Sequence, residues 1–250
     1  MIRRSRLKIE RIDKFLSIFT AGLFNRPFGY SIVYSSGFRG FPKRARVFRT
    51  LMPRERDLGF MIGFYPKKNA KFLNADLAMI NVSSLNARDH DSGKGWIGNL
   101  NFKFDSLAHQ KLNIGFGASF YRGTVRSNAT TYFAAKNSGF DINIASANKN
   151  SKVRRDYYGA NFQIEYIYGK QPGVGASVTI TGSEASQSFS TQPLGNLYLR
   201  NFSGYYFWRT HQIAKTPFTA LLGYSITFTL NSRLKITLYN EKYGEQSNAT

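Results

Sequence analysis

Residues 96–123, WIGNLNFKFDSLAHQKLNIGFGASFYRG, decide the class of fold. Trp96, Gly98, Leu100, Phe102 and Phe104 alternate with Ile97, Asn99, Asn101, Lys103 and Asp105. After a short polar connection, Leu112, Ile114, Phe116, Ala118 and Phe120 alternate with Lys111, Asn113, Gly115, Gly117 and Ser119. A period of two places successive side chains on opposite faces of an extended chain, one face apolar and the other polar. The same alternation returns in Ala160–Tyr166, Ala176–Ile180 and Phe218–Phe228. No window of useful length carries a helical period, so the chain is expected to be all-β.

The connections alternate in length. Residues 66–71, 105–110, 169–174 and 210–217 are short and hold turn formers such as Pro66, Asp105, Pro172 and Pro217. Residues 25–57, 83–95, 123–153 and 186–196 are long and rich in Ser, Asn, Gly and charge. Short turns at one end of the strands and long loops at the other are the pattern of a transmembrane antiparallel β-barrel, and strands near ten residues match a tilted span of hydrocarbon. A soluble sandwich gives a weaker length rule. Aromatics gather near strand ends, at Phe24, Phe28 and Tyr30, Phe64 and Tyr65, Phe120 and Tyr121, Tyr157 and Tyr158, Tyr166 and Tyr168, and Tyr205–Trp208. In a barrel they would form interfacial girdles; in a sandwich they would fill the core.

Lys and Arg exceed Asp and Glu by 21, with a pI near 10.2. Such an excess predicts anionic partners. The 22 Phe and 15 Tyr spread along the chain argue against a soluble nucleic-acid binder, because apolar stripes exposed to water aggregate. There is no cysteine, which excludes disulfides, Cys-ligated zinc and a thiol nucleophile. The N-terminus imitates a signal peptide, with a basic start and an apolar run over Phe15–Phe24. Glu10 and Asp13 in the would-be basic region and the absence of a small-residue cleavage site argue against a working one.

Two linked segments, AGLFNRPFGYSIVYSS at 21–36 and RARVFRTLMPRERDLG at 44–59, resemble the phosphate-selective porin O and P family, in particular its Bacteroidetes-type members. The resemblance resumes at Arg155–Gly173 and Tyr198–Ile213, weakens through 123–153 and is patchy after 214. It implies a bacterial outer-membrane barrel of sixteen strands, trimeric and water-filled. It also implies passage of inorganic phosphate or other small anions, a basic lumen, and a long loop folded inward as a constriction. About ten or eleven strands are legible by periodicity. The C-terminal GEQSNAT also lacks an aromatic-ended strand. Residues 1–250 are therefore expected to be a single, partial barrel domain.

The stretch 25–57 is the candidate constriction loop, anchored by Phe28, Tyr30 and Tyr34. Arg39, Lys43, Arg44, Arg46, Arg49, Arg54 and Arg56 would give it a positive potential, with Glu55 and Asp57 pairing with neighbouring arginines. A ladder of cations attracts anions and lets them leave again, and arginine can hold phosphate oxygens in pairs. On the rim the same cluster would instead bind outer-membrane lipid or acidic lipopolysaccharide. Lys103 and Lys111 stand on the polar parity of clean strands and are candidates for the barrel wall; Arg154, Arg155 and Arg200 sit at strand ends. No cofactor is implied and no catalytic role is legible: His90, His109 and His211 fall in turns or loops, and no G-x-S-x-G, H-E-x-x-H or Walker pattern occurs. Asp89 and Asp91 have loop-calcium spacing but lack a downstream bidentate acid. The expectation is a passive anion porin. The other reading is a non-conducting barrel whose basic loops bind anionic polymers.

Overall fold

The computed structural model describes residues 6–10, 17–29, 52, 55–66, 70–81, 94–107, 111–127, 129–136, 139–168, 171–187, 196–212, 219–229 and 235–237. Nearly all of them are strand. The strands are β1 (Arg6–Glu10), β2 (Ser17–Asn25), β3 (Arg56–Phe64), β4 (Leu73–Asn81), β5 (Lys94–Ser106), β6 (Leu112–Arg126), β7 (Thr131–Lys136), β8 (Gly139–Ile144), β9 (Lys152–Tyr168), β10 (Gln171–Gln187), β11 (Asn196–Gln212), β12 (Thr219–Thr229) and β13 (Lys235–Thr237). All belong to one sheet. Its main path runs β1-β2-β3-β4-β5-β6-β9-β10-β11-β12-β13, with every neighbouring pair on it antiparallel. The sheet is open: among the described residues β1 and β13 are its two ends and do not pair with each other.

One sequence expectation changes here. Much of 123–153, expected as a loop, is ordered strand. Gly123–Arg126 extends β6, Lys152 and Val153 begin β9, and β7 and β8 form a hairpin between them. β7 runs parallel to the start of β11, from Asn196 opposite Thr131 to Leu199 opposite Ala134, so this connection reaches past β9 and β10. Short words such as TYFAAK carry a pairing signal too weak to see without their partner. The apolar run that imitates an export signal, for its part, lies largely in β2.

The two faces of the sheet differ in an unusual sense. The outward parity carries exposed, large apolar side chains: Leu58, Phe60 and Ile62 on β3, Leu77 on β4, Trp96 and Leu100 on β5, Phe116 and Phe120 on β6, and Tyr158, Phe162, Ile164 and Tyr166 on β9. Near the short-turn end, Phe102 and Phe116 stack with centroids 5.1 Å apart, and Phe72 stacks on Phe104 at 5.5 Å. The inward parity carries the buried residues, many of them polar: Thr20, Asp57, Asn99, Ser119 and Asn161. β10 departs from its expected reading. Its apolar parity, Ala176, Val178 and Ile180, is buried on the inner face, and Thr179 and Thr181 are exposed on the outer one. Periodicity reports that a strand has two unlike faces but not which of them points outward.

The apolar band is inclined to the strand pairing. Phe60 stands opposite Met79, Met79 opposite Trp96, Trp96 opposite Arg122, and Arg122 opposite Asp156. One row lower the series is Ile62, Leu77, Gly98, Phe120 and Tyr158. The first row thus passes from apolar to charged, and the second stays free of charge. The polar residue that bounds the band moves from Arg56 on β3 to Asp156 on β9, which shares the row of Phe60. That is a drop of four residues over four strand-to-strand steps. At ~3.3 Å per residue and ~4.8 Å per step, the band lies about 35° off the rows.

Candidate functional site

The chain leaving β2 turns onto the inner face. The amide of Arg26 donates to Glu55 O at 2.9 Å, and that of Phe28 to Arg26 O at 2.9 Å. Gly29, with φ of 61°, occupies a left-handed conformation open to glycine. Its amide donates to Ser119 Oγ on β6 at 2.9 Å, and Ser119 Oγ in turn donates to Asn99 Oδ1 on β5 at 3.3 Å. The Phe28 ring is 1% exposed and lies over Gly159 of β9, where an added Cβ would meet Phe28 Cζ at 3.2 Å. Met52, near the far end of the same connection, is buried in the same cluster, with Phe24, Ile80, Ile97, Tyr121, Tyr157, Ile180, Phe202 and Tyr206. Both approaches to the stretch 30–51 are therefore seated on the inner wall.

An ion pair fixes the turn. Arg26 Nη2 donates to Asp57 Oδ2 at 2.8 Å, with the side chains 9% and 1% exposed. Asp57 Oδ1 accepts the amide of Leu58 at 2.9 Å, so both carboxylate oxygens are engaged. A buried charge without such a partner would cost several kcal/mol, on the order of 3–5 when one partner is removed. Arg155, also on the inward parity, donates to the Tyr121 hydroxyl beside this pair. Tyr121 and Tyr157 lie 5.2 Å apart, and Tyr157 meets Phe202 edge-on at 5.4 Å across Gly182 of β10, which carries no side chain to separate them.

Towards the short turns the inner face becomes polar and thinly covered. Asn161 donates to Asn101 at 3.2 Å and Asn113 to Glu165 at 3.2 Å, while Tyr65 folds under β3 to bond Asp76. Lys103 points inward and pairs with Asp105 at 3.1 Å, both side chains 52% exposed. Lys111 stands in the turn ahead of β6, its amide bonded to Leu107 O. Arg56 belongs to the outer parity, where its Nε donates to Asn25 Oδ1 at 3.1 Å. Arg154 faces outward too, and His211 is exposed on the outer parity of β11. Arg39, Lys43, Arg44, Arg46, Arg49 and Arg54 lie outside the described residues, as do Tyr30, Tyr34, His90, His109 and 87–93.

Sequence reasoning missed Arg26, the cation that organises this region. Asp57 was expected to pair within the arginine cluster; its partner is 31 residues upstream. The signal was present in LFNRPFG: an arginine set between Phe24 and Phe28 has little access to water and calls for a buried anion. Comparison with known protein families, with characterised proteins and with solved structures finds no match for this chain.

Proposed function

We propose that this chain forms the wall of an outer-membrane pore for the passive diffusion of small anions, phosphate among them. The observation that carries the reading is the inversion of the sheet. The exposed outer face holds on the order of 1,000 Å² of aromatic and aliphatic surface, well beyond the patches that soluble monomers expose. The opposite face is lined by Asn, Ser, Asp and Lys towards the short turns and carries the apolar cluster around Phe28 towards the long connections. A lipid solvent outside and water inside satisfy both at once. The inclination of the apolar band, about 35°, matches the strand tilt that a barrel needs to present a level belt to a bilayer.

The inward course of the 25–57 connection supports its assignment as the constriction, with Phe28, Gly29 and Met52 as its footing. The cations between them, Arg39 to Arg49, would then stand in the narrow section, where several weak sites attract anions without trapping them. Hydrocarbon cannot satisfy unpaired strand edges. The function therefore requires the edges of β1 and β13 to be paired. The resemblance to the porin family implies a closed barrel, in which they would be.

The second reading, a non-conducting barrel with anion-binding loops, draws on the apolar cluster around Phe28, which occupies the inner face along which a pore would run. Planar-bilayer recording in a KCl gradient separates the two. A pore gives discrete steps with a reversal potential of anion-selective sign, reduced by added phosphate and weakened in an R44A/R46A/R49A variant. Insertion without steps would leave the non-conducting barrel, and failure to insert would sink both.

A further inference from the structure

The upper boundary of the outer face carries a second feature. Lys94, Arg122 and Arg154 share the outer parity of β5, β6 and β9, at the end of the strands that bears the long connections. Arg122 is exposed and sits directly opposite Trp96 on one side and Asp156 on the other. Its Nη2 lies 3.5 Å from the Tyr158 hydroxyl. Arg154 lies 3.6 Å from Asp156, with its side chain 72% exposed, and Lys94 reaches Asn81 Oδ1 at 3.2 Å. Arg122 and Arg154 thus flank one carboxylate, Lys94 stands at the same end of β5, and immediately below them begins the apolar band, through Trp96, Phe120 and Tyr158.

We propose that Lys94, Arg122 and Arg154 bind the phosphate monoester of a lipid headgroup in the leaflet on the long-connection side. The surplus of two positive charges matches the −1.5 to −2 carried by a phosphate monoester. Asp156 holds the Arg154 guanidinium over the site, and the Tyr158 hydroxyl holds that of Arg122. The position selects an amphiphile: a ligand here has charge above it and an aromatic, acyl-compatible wall beneath it. Basic residues at a headgroup boundary strengthen binding about fivefold each. The inference rests on the membrane reading of the outer face.

Trp96 reports on the site. Trp208, the other tryptophan, packs against the inner-face cluster. The chain is reconstituted in phosphatidylcholine vesicles doped with lipids brominated near the headgroup, either phosphatidic acid or phosphatidylcholine. The Trp96 signal is the quenching lost in W96F. Brominated phosphatidic acid is expected to quench Trp96 at a severalfold lower mole fraction than brominated phosphatidylcholine. Each of R122A and R154A should reduce that preference about fivefold, with K94Q as a milder variant should an arginine change prevent insertion. Equal quenching by both lipids, or a preference that survives R122A/R154A, overturns the lipid site and leaves the membrane reading intact. Quenching by neither lipid overturns both. Displacement by glycerol 3-phosphate at concentrations comparable to the lipid would replace the lipid site with one for soluble phosphate esters.

Discussion

The outer and inner faces of β5, β6 and β9 are built from the same three segments, yet they obey opposite rules. Outside, Trp96, Leu100, Phe116, Phe120 and Phe162 are exposed; inside, Asn99, Ser119 and Asn161 are buried. In water this arrangement is unfavourable twice over, because apolar area stays wet and polar atoms are desolvated. The inner face meets part of its polar requirement with side-chain bonds and with the segment seated on it. The outer face meets its apolar requirement only if something apolar covers it. The two faces therefore make different demands on what covers them, and each can be challenged separately.

The largest effect is expected on the inner face. Asp57→Ala leaves Arg26 buried without its counter-charge and should cost about 3–5 kcal/mol, read by urea unfolding of the refolded protein. Replacing the pair together, as Arg26→Met with Asp57→Leu, should recover most of that loss. If the single change were neutral, water would reach Arg26 and the buried footing of the 25–57 connection would be wrong.

Phe162→Arg challenges the outer face. At the midplane of a bilayer a lipid-facing arginine costs about 2–4 kcal/mol, whereas the same change on a water-exposed sheet surface is nearly neutral. Folding into vesicles of graded chain length reads it. A Phe162→Arg variant that folds equally well in lipid and in detergent-free buffer would show that the outer face is wet.

Gly159→Ala sharpens the footing itself. The new methyl would press on Phe28 from 3.2 Å, and overpacking of this kind costs about 1–3 kcal/mol unless the ring moves aside. Because Phe28 belongs to the connection rather than to a strand, the cost should be recovered by Phe28→Ala in the same chain. Coupling between the two changes, measured as a double-mutant cycle, tests the contact directly.

How much of this was legible beforehand follows from what each signal depends on. The strands at 96–104 and 112–120 announce themselves because alternation is local, and Lys103 falls on the polar parity for the same reason. Orientation was not local. Val178 and Ile180 look like lipid-facing residues in isolation, but pairing with β9 and β11 turns them inward. Arg56 likewise fell out of the inner set, because its parity is fixed by the pairing of β3 with β2. The bond between Arg26 and Asp57 spans a connection whose ends must first meet, and no window of sequence contains both. The hairpin of β7 and β8 depends in the same way on β11.

The smallest effect on stability is also the most informative about the inner face as a path for ions. Lys103 and Asp105 form an exposed pair, and breaking such a pair changes stability by about 0–1 kcal/mol. Asp105→Asn therefore leaves folding nearly untouched while freeing the Lys103 charge on the inner parity. If anions pass along this face, the reversal potential in a KCl gradient should move further toward the anion value in Asp105→Asn and back toward the cation value in Lys103→Gln. Arg56→Gln, on the outer parity, should move it in neither direction. The contrast uses charge changes of equal size at two sites on opposite faces of the sheet. A shift from Arg56 equal to that from Lys103 would mean that the current does not follow the inner face, however well the protein inserts.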